Sequence, residues 1–293
     1  MFEGFERRRV RVAAGEINLV LGGSGPPLLL LHGYPQTHVM WHRIAPDLAR
    51  AFTVVCPDLR GYGDSLKPRG GGDHAAYSKR AMAQDQVEAM QALGFARFAV
   101  AGHDRGGRVA HRLALDHDER VERLAVLDIC PTYAMYADTD KEFATAYYHW
   151  FFLIQKAPLP ETLLARQVPH YVLGRIGRGP GGIRVFDRNA LKEYVRAFRD
   201  PRTIHATCED YRAAATIDLV HDKKDLKSKI KMPVLVLWGK KGVIEAMFRP
   251  LSDWREVARD VRGRSLDCGH FLPEEAPEDV LHELRRFLGS CGN

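Results

Sequence analysis

One aspartate set between closely spaced glycines is the feature of this chain best suited to chemistry. Asp104 lies in residues 102–106, whose Gly-His-Asp-Arg-Gly sequence fits the Gly-x-nucleophile-x-Gly pattern of a nucleophile elbow. The apolar run 98–101 predicts a strand before this turn, and residues 105–117 predict a helix after it. A carboxylate is ionised at neutral pH and attacks a saturated carbon that carries a leaving group, forming an ester. The pattern therefore favours displacement of a halide or opening of an epoxide over ordinary ester cleavage.

Hydrolysis of such an ester needs a base for water and an acid that orients the base. His270 follows the last predicted strand in a glycine-containing loop, which makes it the candidate base. Asp128 comes directly after the apolar run 124–127, at a strand end between the elbow and the histidine, so we expect it to be the orienting acid. Glu245, beyond the strand predicted at 234–238, is the alternative acid.

Two backbone N–H groups could stabilise the oxyanion that forms when the ester is hydrolysed. One belongs to Arg105, directly after the nucleophile. The other comes from the loop 32–35 after the third predicted strand, and the N–H of Tyr34 is the candidate. We expect His32 to shape that turn rather than act as a base.

Two arginines beside the nucleophile predict an acidic substrate. Arg105 and Arg108 are three residues apart, so both can lie on one side of the first helical turn. Cations at a helix N-terminus oppose the macrodipole and need a compensating partner. A substrate carboxylate would satisfy both guanidinium groups. The alternative is that Arg108 pairs with an acid of the protein, such as Asp85.

Short apolar runs that alternate with helical patterns predict an α/β fold with a mostly parallel sheet of eight strands flanked by helices. The predicted strands are 8–13, 17–21, 27–31, 53–56, 98–101, 124–127, 234–238 and 264–266, with a hairpin turn at 14–16, and the predicted helices are 41–49, 79–93, 105–117 and 278–287. Residues 133–221 break the alternation and begin with an aromatic-rich stretch, which predicts a helical cap over the strand ends. The expected organisation is a core at 1–132 and 222–293 with this cap between the two parts.

Composition narrows the class of protein. The chain has 293 residues, 45% hydrophobic and 27% charged, with a net charge of +6. Its basic residues are dispersed, and the densest lysine cluster, 223–231, is typical of a solvated helix without interleaved aromatics, so no nucleic-acid partner is expected. No run approaches the roughly 20 apolar residues of a membrane span, and residues 1–9 do not resemble a signal peptide, so we expect a cytoplasmic protein without a membrane partner. Five scattered cysteines without a CxxC pair predict reduced thiols and no metal site.

Taken together, the motifs resemble a known superfamily. Residues 32–35 (His-Gly-Tyr-Pro), residues 58–65, the aspartyl elbow and residues 269–271 (Gly-His-Phe) are similar to those of α/β-hydrolases along nearly the whole chain. Epoxide hydrolases and dehalogenases share these motifs. The segments that narrow the resemblance to fluoroacetate (haloacetate) dehalogenases are 102–108, 127–133, 148–151 and 210–218.

The resemblance implies an activity and a set of roles. Members of that family convert a haloacetate and water to glycolate and halide, through an aspartyl ester and without a metal or organic cofactor. By matching positions, it implies the nucleophile Asp104, the acid Asp128, the base His270, the carboxylate-binding Arg105 and Arg108, and a halide pocket of His149, Trp150 and Tyr211. It also implies a homodimer.

Two other functions stay open on the sequence. An epoxide hydrolase would use the same aspartate together with cap tyrosines that protonate the ring oxygen, and Tyr147, Tyr148 and Tyr211 are candidates. A catalytically silent binding protein could also be built on this scaffold.

Overall fold

Eight strands form one sheet in this computed structural model, which describes residues 1–289. Their order across the sheet is β1-β2-β4-β3-β5-β6-β7-β8. The pairs β1–β2 and β2–β4 are antiparallel, and all the other neighbours are parallel. The strands are β1 (Phe5–Val12), β2 (Gly15–Gly22), β3 (Pro27–Leu31), β4 (Thr53–Pro57), β5 (Phe98–His103), β6 (Val121–Leu127), β7 (Val234–Gly239) and β8 (Val261–Leu266). The predicted eight-stranded, mostly parallel sheet is confirmed.

Helices flank the sheet and also form a long insertion within it. The α-helices are α1 (Ala45–Leu48), α2 (Lys79–Ala92), α3 (Arg105–Asp116), α4 (Thr132–Ala137), α5 (Lys141–Ala146), α6 (Tyr148–Leu153), α7 (Leu159–Ala165), α8 (Val168–Ile176), α9 (Arg188–Phe198), α10 (Pro201–Ala215), α11 (Ile217–Asp225), α12 (Val243–Met247), α13 (Pro250–Val257), α14 (Leu272–Glu275) and α15 (Pro277–Leu288). Short 3-10 helices cover His38–Trp41, Ala75–Tyr77 and Gly182–Val185. The helices α4–α11, which separate β6 from β7, are called the inserted helices below.

Three local predictions were wrong in their boundaries. The helix predicted at 41–49 is broken into the 3-10 turn His38–Trp41 and the single-turn α1, because Pro46 lacks an N–H and suits only the first turn of a helix. The hairpin turn is tighter than predicted, since Val12 already pairs with Gly15. The lysine cluster is helical only in part, because α11 ends at Asp225.

The register of the parallel strands brings their carboxyl ends to one edge. Leu31 of β3 lies opposite Gly102 of β5, and His103 of β5 lies opposite Leu127 of β6. Leu127 in turn lies opposite Leu237 of β7. The residues that follow these strands are therefore neighbours in space, although the ends of β3 and β7 are separated by more than two thirds of the chain in sequence. Open α/β sheets bind ligands at this kind of edge.

The inserted helices close over that edge. The buried ring of Tyr34, in the loop after β3, has its centroid 6.0 Å from that of His149 on α6, 5.8 Å from Phe198 on α9 and 5.2 Å from Tyr211 on α10. Its hydroxyl lies 2.8 Å from that of Tyr171 on α8. Four inserted helices thus meet one core loop, and the strand ends beneath are shielded from water.

Four cysteines lie in the described part of the chain, and all four are buried and unpaired; Cys291 lies outside it. Within residues 1–289 no cluster of three or more His, Cys, Asp or Glu side chains is arranged to hold a metal ion. Over the same range no helix is both long enough and apolar enough to cross a bilayer.

Candidate active site

Asp104 occupies a strained turn between β5 and α3. Its backbone has φ +48° and ψ −115°, a region that non-glycine residues seldom adopt. Glycines make the turn possible: a Cβ on Gly102 would lie 2.4 Å from the Gly106 carbonyl oxygen, and a Cβ on Gly106 would lie 2.4 Å from the Leu31 carbonyl oxygen. The side chain, only 4% exposed, therefore stands clear of the backbone at the strand edge. This is the strand–turn–helix geometry that the sequence predicts.

The loop after β3 supplies a backbone donor to this carboxylate. The Tyr34 N–H donates to Asp104 Oδ1 over 2.8 Å. This loop and the elbow approach each other so closely that a Cβ on Gly33 would lie 2.5 Å from the Asp104 Cβ. Arg105 is the first residue of α3, so its N–H is among those without a partner inside the helix. Of the two predicted donors, the Tyr34 N–H thus contacts the carboxylate, and the Arg105 N–H belongs to the next residue along the chain.

An acid and a histidine complete a line of contacts to Asp104. His270 Nδ1 lies 2.6 Å from Asp128 Oδ2, and His270 Nε2 lies 3.9 Å from Asp104 Oδ2. Asp128 sits at φ +54° directly after β6, and its other oxygen accepts the Gly239 N–H over 2.8 Å. Asp128 thereby fixes the ring with Nδ1 protonated, so that Nε2 can accept a proton.

The alternative acid has a different partner. The Glu245 carboxylate accepts a hydrogen bond from the indole N–H of Trp238. The structure therefore brings Asp128, and not Glu245, to the histidine.

Two residues that the sequence did not single out hold the His270 loop. The Glu275 carboxylate accepts the N–H groups of Gly269 (2.7 Å) and Phe271 (2.9 Å), on either side of the histidine. His103 Nε2 donates to the His270 carbonyl over 2.7 Å, and burial lowers the pKa of His103 to about 3, which keeps it neutral. Their positions in the sequence gave some signal, since His103 directly precedes Asp104 and Glu275 lies five residues beyond His270.

The charges of Asp104 and His270 stabilise each other. Burial raises the pKa of Asp104, but nearby basic groups, His270 first, outweigh burial and lower that pKa below its ordinary value. Burial likewise lowers the pKa of His270, but the Asp128 hydrogen bond and the charges of Asp128 and Asp104 raise it above its ordinary value. Asp104 is therefore held ionised, as an attacking carboxylate must be.

Arg108 is a buried cation without an acidic partner in the described chain. Its Nη1 donates to Thr132 Oγ1 (2.8 Å), and its guanidinium carbon lies 4.7 Å from the centre of the Trp150 ring. Its Nε has no hydrogen-bond partner. The alternative pairing with Asp85 is wrong, because Asp85 instead binds Arg60 through contacts of 2.6 and 2.7 Å.

The guanidinium of Arg105 is already bound in part by an acid of the protein, a pairing that the sequence alone did not predict. Asp210 of α10 binds the Arg105 Nε (3.0 Å) and Nη2 (2.6 Å), and both residues are fully buried. Only Nη1 lacks a partner. Lys79 and the Tyr62 hydroxyl also bind Asp210, and Lys79 and Arg105 lower the pKa of Asp210 by their charges against the opposing effect of burial. One free donor on each arginine therefore remains for an anion.

Replacing Asp210 with asparagine should weaken both the fold and substrate binding. The amide loses the charge that balances Arg105 and Lys79, and breaking such a buried pair costs about 3 kcal/mol of unfolding free energy. A displaced Arg105 should also raise KM for an anionic substrate about tenfold or more. Urea unfolding and steady-state kinetics measure the two effects.

Asp85→Asn is the matched control, since it breaks a second buried arginine–aspartate pair away from Asp104. It should lower the free energy of unfolding by a similar amount and leave KM unchanged. An equal rise of KM in both variants would show that Asp210 acts through global stability alone.

Three aromatic donors converge beside the guanidinium groups of Arg105 and Arg108. His149 and Trp150 lie on α6, Tyr211 lies on α10, and the Tyr211 ring centroid is 5.7 Å from His149 and 6.4 Å from Trp150. All three side chains are buried, yet His149 Nδ1, Trp150 Nε1 and the Tyr211 hydroxyl have no hydrogen-bond partner. The Tyr211 ring also lies 4.2 Å from the Arg105 guanidinium. Buried unpaired donors are costly, so this cluster is suited to an acceptor brought by a ligand.

The chain is similar to several known proteins along nearly its whole length. A family model of the alpha/beta hydrolase fold matches residues 26–277. A fluoroacetate dehalogenase from Burkholderia is 50% identical over 99% of this chain and 96% of its own, and a soluble epoxide hydrolase from Corynebacterium is 36% identical over 93% of each. A crystal structure from Nostoc, provisionally named an alpha/beta hydrolase, is 60% identical with a TM-score of 0.97, covering 99% of this chain and 100% of that one.

Proposed function

The chain belongs to the α/β-hydrolase family, alongside the fluoroacetate dehalogenases, and we propose that it hydrolyses short 2-haloacids through an ester of Asp104. It is a hydrolase that acts on carbon–halide bonds, and the simplest substrate is a haloacetate, which gives glycolate and halide. The observation that carries the proposal is the pair of unpaired arginine donors beside an ionised aspartate, under three unpaired aromatic donors. The two arginine donors suit a carboxylate, and the three aromatic donors suit a leaving halide.

In the first step the arginines hold the substrate carboxylate while Asp104 attacks. Arg105 Nη1 and Arg108 Nε are the free donors for the carboxylate. An oxygen of Asp104 forms a bond to the α-carbon, and the carbon–halide bond breaks with its electron pair on the halide. His149, Trp150 and Tyr211 donate hydrogen bonds to the leaving ion, which replaces water that a small halide would lose.

In the second step water cleaves the ester. His270 Nε2 takes a proton from water, and the hydroxide attacks Cγ of Asp104. The N–H groups of Tyr34 and Arg105 stabilise the oxyanion that forms. When the tetrahedral intermediate collapses, the glycolate oxygen takes the proton from His270, and Asp104 then loses a proton to restore its carboxylate. One proton and one halide are released per turnover.

Release of halide from haloacetates tests this function directly. Ion chromatography after incubation with fluoroacetate, chloroacetate and bromoacetate should detect halide and glycolate in equal amounts. Styrene oxide tests the epoxide-hydrolase alternative, which should give a diol. Tyr148, one tyrosine offered for that alternative, is 41% exposed and lies 5.3 Å from the Arg178 guanidinium, which disfavours it as a ring-protonating acid. Formation of diol without halide would reject the proposal. Formation of neither halide nor diol would favour a silent binding protein.

The pH dependence of ester hydrolysis should follow His270. The base must be neutral to accept a proton, so hydrolysis should weaken as the pH falls through the pKa that His270 has in the ester intermediate; in the free enzyme that pKa is raised above its ordinary value. Ester formation removes the charge of Asp104, one cause of the raised pKa. The pKa of His270 should therefore be lower in Asp104→Asn than in the wild type. NMR titration of the His270 ring measures both, and an equal or higher pKa in the variant would contradict the electrostatic contact.

Other parts of the proposal concern the organisation of the protein. We retain a cap at residues 133–221 between core parts at 1–132 and 222–293, a cytoplasmic location and a homodimer. Light scattering on the purified protein measures the oligomeric state.

A further inference from the structure

Arg175 is a third arginine beside the candidate active site, and the proposed steps do not use it. It lies on α8, and its Nη2 donates to His149 Nε2 over 3.3 Å. Its Nε is buried without a partner, and no carboxylate of residues 1–289 lies within ion-pair distance of its guanidinium. The His149 ring is therefore its one hydrogen-bond partner in the described chain. Pairing with an acidic side chain therefore does not explain why Arg175 lies at this position.

The contact decides which nitrogen of His149 carries the proton. A guanidinium group can only donate, so Nε2 must present its lone pair. Burial, with the charge of Arg175 next, lowers the pKa of His149 well below its ordinary value, so the ring is neutral. In a neutral imidazole the single proton then sits on Nδ1. Nδ1 is the buried nitrogen without a partner.

We infer that Arg175 is a positioning residue that holds His149 in its Nδ1–H tautomer, so that the histidine donates to the leaving halide. This inference rests on the proposed dehalogenase function and deepens it. In the other tautomer, Nε2–H would face a guanidinium donor and the Nδ1 lone pair would face the halide. Both contacts are repulsive, so without Arg175 one of the three donors to the halide would be lost or reversed.

The need for the Nδ1–H tautomer of His149 should depend on which halide leaves. Fluoride is a poor leaving group with a concentrated charge, so departure of fluoride depends strongly on hydrogen bonds, whereas bromide leaves with much less help. The loss of a correctly protonated His149 should therefore lower kcat for fluoroacetate more than kcat for bromoacetate. A general loss of structure would lower both alike.

Arg178 offers a matched control. With Arg175 and Lys241 it lines a cavity of about 410 Å³ that reaches His270, and its guanidinium packs against Tyr148 rather than His149. Both arginines line this cavity, so removal of either one changes the charge of the cavity equally. Only Arg175 contacts the ring whose tautomer is at issue.

The kinetic test compares Arg175→Met, Arg175→Lys and Arg178→Met on fluoroacetate and bromoacetate. Arg175→Met should lower the ratio of the two kcat values, fluoroacetate over bromoacetate, about tenfold or more. Arg175→Lys should restore most of the ratio, because lysine too can only donate. Arg178→Met should leave the ratio at the wild-type value. Equal losses on both substrates in Arg175→Met would overturn the inference.

The spectroscopic test does not depend on turnover. Nitrogen-15 NMR of the His149 ring in the full chain should show Nδ1 protonated in the wild type and in Arg175→Lys. In Arg175→Met the signals should move toward a mixture of tautomers or toward Nε2–H. An unchanged Nδ1–H tautomer in Arg175→Met would overturn the inference. A protein that never releases halide but still shows the tautomer shift would instead reject the proposed function and leave the positioning role supported.

Discussion

Asp104→Asn should abolish halide release, with kcat lower by about four orders of magnitude or more. The amide is close in shape and can still accept the Tyr34 N–H, but it has no negative charge and is a very weak nucleophile toward saturated carbon. Binding of the substrate carboxylate should remain, because Arg105 and Arg108 are untouched. Halide measured over the first turnovers and substrate binding measured by calorimetry separate chemistry from binding.

Asp104→Ala is the control for slow repair of the amide. Asparagine at this site could be hydrolysed back to aspartate by the same water and base, which mass spectrometry detects as a change of about 1 Da. Alanine cannot revert. Full activity of Asp104→Asn from the first turnover, with the amide intact, would exclude the ester route.

Heavy-oxygen water gives an independent measure of the same step. After one turnover in labelled water, the oxygen should be in the Asp104 carboxylate and not in the product, because water attacks Cγ of the aspartate rather than the substrate carbon. A peptide containing Asp104 should then be heavier by about 2 Da. Label found only in the product would contradict an aspartyl ester.

Replacing His270 with asparagine should trap the ester. Attack by Asp104 needs no base, so one halide per site should still be released, but water is no longer deprotonated and hydrolysis should slow by about three orders of magnitude or more. The protein incubated with a haloacetate should gain about 58 Da, the mass of a carboxymethyl ester. Intact-protein mass spectrometry and a halide burst assay measure the two outcomes.

The double variant Asp104→Asn/His270→Asn is the control for this adduct. It keeps the arginines and the aromatic cluster but has no nucleophile, so it should show neither burst nor added mass. Steady halide release by His270→Asn at the wild-type rate, without an adduct, would remove His270 from the second step.

Arg105 shows where interpretation of the sequence was incomplete. Its place beside the nucleophile followed from the elbow, and its spacing to Arg108 followed from helix geometry. Its ion pair with Asp210 did not, because the two residues are 105 positions apart and meet only when α10 packs over the strand edge. The same is true of Arg175 and His149, which are 26 residues apart on different inserted helices.

The sequence by itself determined the sheet and the elbow, and it placed Asp104 and Asp128 directly after neighbouring strands. These features are local: apolar runs specify strands, glycines permit the turn, and parallel strands bring Asp104 and Asp128 to one edge. Only the tertiary structure decided which donors are free, since Asp210 binds part of the Arg105 guanidinium and Arg175 donates to Nε2 of His149. It also decided that Glu275 and His103 hold the loop of His270. Hydrogen-bond partners between distant segments depend on how the helices pack over the sheet, and neither periodicity nor spacing along the chain encodes that packing.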